Sequence, residues 1–366
     1  MRRWKRDLIA VGGTLEAGFD RFKFALKRRM GRLGPIELLP YRGYGTPDTL
    51  FLKGRALEAV GLAPPSAGDS RRRNLRNMTR RFLSSEIPHA RVRASYGRHE
   101  VEAVADEEGF FDLRFELEAP AEEGTDWHPV EVELLWPRAG EGDTARATGT
   151  VLVPAGARFG VVSDLDDTVL RSSVTDLVAM ARLTLLSNAH TRLPFEGVAA
   201  LYRALRLGPD GRDSNPIFYV SSSPWNLYDL LEDFLDLQGI PAGPLLLKDW
   251  SPTTLRDHEK HKLGAIRTLL ATYPDLPFVL VGDSGERDPE IYRQIVREHP
   301  GRIWTIYIRD VSGARRDAAV REIAGEVREL GVEMLLVSDS NEAADHAAGR
   351  GLIAAGSPPP PAEEGD

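Results

Sequence analysis

The chain contains no cysteine. A disulfide scaffold, a thiolate zinc site and a cysteine nucleophile are therefore excluded. It also lacks any unbroken apolar run of about 18 residues, so no segment reads as a bilayer-spanning helix. Basic residues are in the minority, with 47 Lys and Arg against 55 Asp and Glu. The resulting net charge of −8 argues against a general nucleic-acid-binding surface, and no nucleic-acid partner is expected. What is present is 366 residues, 42% hydrophobic and 28% charged, a composition of folded domains and not of a disordered chain. One core rarely grows past roughly 250–300 residues, so two domains are expected. The absence of thiols fits a reducing compartment, and the expected location is cytoplasmic, with peripheral membrane contact through the segment described next.

Charge is unevenly spread. Residues 1–32 carry ten Lys and Arg against three acids, a net +7 that leaves −15 for the rest. Trp4, Leu8, Val11, Leu15, Phe19, Phe22, Leu26, Met30 and Leu33 follow one another at three- and four-residue steps. That spacing predicts an amphipathic helix over 1–34, weakened by Gly12, Gly13 and Gly18. A basic helix of this kind suits an anionic membrane surface, while the same stripe also suits packing on the body of the protein. Leu8–Leu15 is interrupted by Gly12, Gly13 and Thr14 and no A-x-A site follows, so a secretory leader is not expected.

Over 35–156 the apolar period shortens to two. Strands are expected at Ile36–Leu39, Thr49–Leu57, Arg91–Tyr96, Glu100–Val104, Phe110–Leu117, Val130–Trp136 and Thr148–Val153. Asp106–Gly109 reads as a turn. Residues 70–85, with Arg71–Arg73, read as a helical or irregular insertion. Several short strands in succession predict a β-sandwich-like domain, without a catalytic constellation of its own.

Over 157–352 strands alternate with helices. Strands are expected at Phe159–Ser163, Pro216–Ser221, Leu245–Leu247, Phe278–Val281, Ile303–Ile308 and Glu333–Val337. Helices are expected at Thr175–Leu186, Phe195–Leu205, from Pro224, at Lys262–Thr272, Pro289–Arg297 and Arg315–Leu330. The alternation predicts an α/β domain with a doubly wound, mostly parallel sheet. Residues 353–366, with four consecutive prolines, read as a disordered tail.

In such sheets ligands bind beyond the carboxyl ends of the strands. Those ends deliver Asp164-Leu165-Asp166-Asp167-Thr168, then Ser221-Ser222-Ser223-Pro224, and later Gly282-Asp283-Ser284-Gly285-Glu286-Arg287-Asp288, with Lys262 opening a helix. Acidic, hydroxyl and amine groups on one edge suit phosphoryl transfer through a covalent intermediate. A carboxylate attacking phosphorus splits one hard displacement into two. The meeting of negative charges calls for a hard cation, and Mg²⁺ takes one or two carboxylates plus phosphate. Asp164 and Asp283 are the candidate carboxylate ligands, Ser221 and Lys262 the candidate phosphate holders, and Asp166 the general acid and base.

D-L-D-D-T, a Ser ending a strand, a later Lys and G-D-S-G-E-R-D resemble the four motifs of the haloacid dehalogenase-like (HAD) hydrolases. F-Y-V-S-S-S-P-W-N-L, H-K-L-G-A-I-R and V-G-D-S-G-E-R-D-P-E-I-Y, with a late A-A-D-H-A, resemble the catalytic domain of the actin-patch-associated phosphatidate phosphatase family. The resemblance covers roughly 157–350. It implies a HAD-like Rossmannoid fold, with Asp164 as nucleophile, Asp166 as acid and base, and Ser221, Ser222 and Lys262 on the phosphate. It further implies a magnesium site of Asp164, the backbone carbonyl of Asp166, Asp283 and Asp288, the last placing a water. Lys260 and Lys248 are alternatives to Lys262. The implied reaction is hydrolysis of phosphatidate to diacylglycerol and phosphate.

Plainer roles compete with these. Asp288 before Pro289 reads equally as a helix cap, and Ser223 before Pro224 reads as one in preference to a catalytic group. Asp167 reads as structural. His258 and His261 lack a third metal ligand and read as surface residues. The competing functions are a HAD phosphatase of a soluble metabolite or phosphoprotein, and a non-catalytic lipid-binding scaffold.

Overall fold

A computed structural model describes residues 34–59, 86–122, 124–137, 144–165, 197–248 and 258–355. The basic arm, the 70–85 insertion, the helix expected at 175–186, Asp166, Asp167 and the proline tail lie outside the described residues. No described helix is long and apolar enough to cross a membrane. The chain divides into two compact units, separated at Val153 and Pro154.

The described residues of the first unit form eight strands: β1 (Ile36–Pro40), β2 (Gly43–Thr46), β3 (Thr49–Glu58), β4 (Arg91–Tyr96), β5 (His99–Val104), β6 (Phe110–Glu116), β7 (Trp127–Trp136) and β8 (Arg146–Leu152). They run in the order β1-β3-β2-β8-β7-β4-β5, with β6 on β3. Where the sequence suggests two packed sheets, hydrogen bonding joins all eight strands into one. Only β2–β8 is parallel; the other pairs are antiparallel. Period-two alternation explains which way each strand faces. On β6, Phe111, Leu113 and Phe115 are buried while Asp112, Arg114 and Glu116 face out. They share one core with Leu50 and Leu52 of β3, Val92 of β4, and Val130 and Val132 of β7. The turn before β6 is set by Asp106, whose Oδ1 accepts the N–H groups of Glu108 and Phe110 at 2.9 Å.

The second unit contains β9 (Gly160–Asp164), α1 (Val198–Leu207), β10 (Ile217–Pro224), a 3₁₀ turn at Trp225–Leu227, α2 (Tyr228–Leu237), β11 (Leu245–Lys248), α3 (His258–Thr272), β12 (Phe278–Asp283), α4 (Asp288–Glu298), β13 (Ile303–Arg309), α5 (Ala314–Glu329), β14 (Glu333–Val337) and α6 (Ser340–Gly349). Its six described strands are all parallel, in the order β11-β10-β9-β12-β13-β14. β10, β11 and β12 are buried along their whole length, as strands covered on both faces must be, so they read as near-continuous apolar runs.

From β9 the chain lays β10 and β11 on one side, then crosses to β12, β13 and β14 on the other. The carboxyl ends of β9 and β12 therefore flank the point where winding reverses, the place such sheets bind ligands. α4 is held over this point by burying Ile291, Tyr292, Ile295 and Val296 along one face. Pro289 in its first turn, acids at its start and Arg297 at its end all suit the helix and its dipole.

Candidate active site

Along the carboxyl edge, four neighbouring strands carry polar side chains at or near their ends. Lys248 ends β11, Ser221 and Ser222 lie near the end of β10, and Asp164 and Asp283 end β9 and β12. Asp164 lies beside Val220 in the β9–β10 register, and Ser163 lies beside Val281 in the β9–β12 register. Residues far apart in sequence are thus brought to adjacent positions by strand pairing alone.

Lys262 reaches in from the first turns of α3 and is almost wholly buried. Its Nζ lies 2.7 Å from Asp164 Oδ1, 2.7 Å from Glu286 Oε2 and 3.1 Å from Asp288 Oδ1. Lys260 is exposed and Lys248 lies two strands from β9, so among the three lysines it is Lys262 that meets Asp164.

Asp283 organises the loop that follows it. Its Oδ1 accepts the N–H of Gly285 at 2.7 Å and of Glu286 at 2.9 Å. Asp288 is fully buried and turned back toward β12, its Oδ2 accepting the Asp283 N–H at 3.1 Å. This departs from the simple cap reading: Arg287 holds the cap position of α4, and Asp288 serves Lys262 and Asp283 instead. The closeness depends on Gly282, since a Cβ there would lie 2.8 Å from the Cβ and Cγ of Asp288.

Asp164, Asp283 and Asp288 each offer an oxygen within 4.8 Å of the others. Among the described residues this is the one group of three or more carboxylate or imidazole side chains placed to share a metal ion. Two phenols lie near these carboxylates. Tyr202 bonds the Ser163 hydroxyl at 2.7 Å, and Tyr292 donates to the Val281 carbonyl at 2.9 Å. Burial pushes Tyr202 up to about 12, with the Asp164 charge adding to it; burial raises Tyr292 as well, followed by Asp288 and Asp164. Both stay neutral at neutral pH.

Ser221 and Ser222 are buried beside this edge. Ser221 Oγ accepts the Ser223 N–H at 3.0 Å. The cap reading of Ser223 does not hold: Ser223 remains inside β10, buried, and Pro224 takes the cap position of the 3₁₀ turn without a side-chain bond. The strand continues because its carboxyl end is still paired, with Pro224 beside Lys248 of β11. His261 is half-buried and lies 3.3 Å from the Leu246 carbonyl through Nε2, outside the carboxylate group suited to a metal.

Two residues that shape this geometry escape sequence reasoning. Glu286 lies inside the G-D-S-G-E-R-D motif, and only the fold shows its carboxylate on Lys262. Arg316, on α5, donates to the carbonyls of Ser284 at 2.9 Å and Glu286 at 2.7 Å and makes a two-pronged pair with Glu290. That pair raises Arg316 and lowers Glu290 from their ordinary values. Arg316 thereby fastens the loop between β12 and α4.

The profile of one family matches this part of the chain: phosphatidate phosphatase APP1, catalytic domain, over residues 159–310. Residues 159–310 resemble that catalytic domain. The APP1-like segment holds Asp164, Ser221, Ser222, Lys262, Asp283, Glu286 and Asp288; Arg316 lies just beyond it. A relative from Saccharomyces cerevisiae, phosphatidate phosphatase APP1, is 31% identical over 215 residues, which is 56% of this chain and 36% of that protein. An uncharacterized protein of Schizosaccharomyces pombe is 30% identical over 158 residues, 42% of this chain and 25% of that one. The matched region thus spans about a third or less of each relative. Among solved structures, a carbohydrate acetylesterase from Xanthomonas citri covers 78% of this chain and 72% of its own at 10% identity, with a TM-score of 0.25, too low to carry a fold argument.

Proposed function

We propose that this chain is a Mg²⁺-dependent phosphatase of the HAD type that hydrolyses phosphatidate to diacylglycerol and phosphate through an aspartyl-phosphate. The observation that carries the reading is Asp164 at the winding reversal, with Lys262 on one of its oxygens and Asp283 and Asp288 alongside. Three gathered carboxylates repel one another, and the single ammonium among them offsets one charge. An all-oxygen, acidic group of this kind fits a hard dication, so the residues present suit Mg²⁺. Asp164, Asp283 and Asp288, with the Asp166 carbonyl, would hold it. When bound, it would supply positive charge to the phosphoryl oxygens.

The chain's own residues do the rest. Asp164 attacks phosphorus while the bond from phosphorus to the glycerol oxygen breaks, and Asp166 protonates that departing oxygen. Asp166 then takes a proton from water as the water oxygen attacks phosphorus, releasing phosphate and restoring Asp164. Lys262, Ser221 and Ser222 hold phosphoryl oxygens during both displacements. Phosphatidate is favoured over soluble esters by the match to that family's catalytic domain and, independently, by the basic amphipathic stripe at 1–33, which suits an anionic lipid surface.

The test is phosphate release from phosphatidate in mixed micelles and from soluble esters, with Mg²⁺ and with EDTA. Turnover should need Mg²⁺ and favour phosphatidate, and Asp164→Asn should abolish it. An active Asp164→Asn enzyme would refute the covalent route, and preference for soluble esters would refute the substrate.

A further inference from the structure

Lys262 faces three carboxylates with one ammonium. It has three N–H donors and no acceptor. These face Asp164 at 2.7 Å, Glu286 at 2.7 Å and Asp288 at 3.1 Å. Before Lys262 can donate to a phosphoryl oxygen, one of those carboxylates has to give way. The Asp164 and Asp288 side chains are short and covered, and Asp288 is also tied to the Asp283 N–H. The Glu286 side chain is 33% exposed, so it has a path to water. Its backbone, by contrast, is fastened on both sides. The N–H donates to Asp283 Oδ1 at 2.9 Å, and the carbonyl accepts from Arg316 Nη2 at 2.7 Å. The side chain can therefore turn outward about its own bonds while the Asp283 loop stays in place.

We infer that Glu286 is an internal stand-in for the phosphoryl group: it occupies Lys262 when the site is empty and swings to solvent when phosphate arrives. The inference rests on the phosphatase reading above. A carboxylate and a phosphoryl oxygen carry the same sign and seek the same donor, so they compete for it. Glu286 then acts through Lys262 as a positioning residue. It keeps the buried ammonium paired between turnovers, weakens the hold on phosphate, and so assists product release.

The sign of the effect separates this from a supporting role. Inorganic phosphate is titrated calorimetrically, with Mg²⁺, into the full-length wild type, Glu286→Gln and Glu286→Ala. KM and phosphate inhibition are measured on a soluble phosphate ester. Glu286→Gln keeps the size and removes the charge, and is expected to bind phosphate about tenfold more tightly and to lower KM in step. A residue that merely props Lys262 in place gives the reverse, with weaker phosphate binding and a higher KM. Weaker or unchanged phosphate binding in the folded variants overturns the inference; should Glu286→Gln fail to fold, Glu286→Ala decides the matter through the same sign of change. A wild type that neither binds phosphate nor turns over substrate overturns the phosphatase reading and this inference together. A wild type that does both, without tightening in the variants, overturns this inference alone.

Discussion

Gly282→Ala places one methyl group where Asp288 lies. The new Cβ would stand 2.8 Å from the Asp288 Cβ and Cγ, and closer still to Oδ2. Asp288 cannot retreat cheaply. It is fully buried, and moving it stretches its bond from Lys262 and its bond from the Asp283 N–H, each 3.1 Å. Overpacking costs about 1–3 kcal/mol, and a lost hydrogen bond to a charged group about 1.5–3 kcal/mol. The combined cost is about 3 kcal/mol or more. At roughly 2–4 °C per kcal/mol for a unit of this size, the melting temperature should fall by about 6–12 °C. A shift of about 1 Å in a catalytic group costs on the order of 10²-fold, so Mg²⁺-supported turnover should fall by at least that factor. The control is Gly264→Ala on α3, two residues from Lys262, where an added Cβ meets nothing within 4 Å. Replacing a glycine inside a helix should raise the melting temperature by roughly 1–4 °C. The assay is thermal unfolding and phosphate release for both variants. A Gly282→Ala protein with wild-type melting and turnover would show that Asp288 does not need that space, and would refute the argument.

Lys262→Met leaves Asp164 and Asp288 buried without their shared cation, which should cost about 3–5 kcal/mol and abolish turnover, whereas Lys260→Met on the exposed side of α3 should do neither; equal losses measured in the two by thermal unfolding and phosphate release would remove Lys262 from its assigned role. Deleting residues 1–33 should reduce co-sedimentation with anionic vesicles, in a salt-dependent way, and turnover of bilayer phosphatidate, while turnover of a soluble ester stays near wild type. Equal loss on both substrates with a lowered melting temperature would assign the stripe to packing.

The strands of the second unit were legible as compact, largely apolar runs, most clearly where polar chemistry follows at the strand end, as in Phe278–Asp283. β2 was not legible: Gly43-Tyr44-Gly45-Thr46 is four residues with two glycines, and it is a strand because β3 and β8 pair with it. α6 is missing from the elements expected from sequence because it has little apolar periodicity, although its start carries a capping signal. Asp339 accepts the N–H groups of Asn341 and Glu342, and Glu342 accepts in return from the Ser338 N–H, a reciprocal arrangement close to a capping box. Ser223 misled for a related reason: Ser-Pro is a genuine helix-start signal, but pairing with β11 carries β10 one residue beyond it. The site residues Asp164, Lys262, Asp283 and Asp288 could be nominated from spacing and motif. Their mutual distances could not, because strand order decides which strand ends are neighbours. Glu286 and Arg316 needed the loop itself, since their roles depend on where a backbone turns.

The strand order also sets a timetable. β9 lies at the centre of its sheet, and both strands that flank it are made later. Asp283 leaves the ribosome 119 residues after Asp164. At 5–20 residues per second this is a wait of roughly 6–24 s. Throughout it, the apolar run Gly160-Val161-Val162-Ser163 has at least one open edge, the kind of surface that pairs with other chains when left exposed. A nascent chain arrested before Phe278 therefore carries Asp164 on a half-paired strand, and co-translational aggregation should concentrate in that window and end once β12 has emerged.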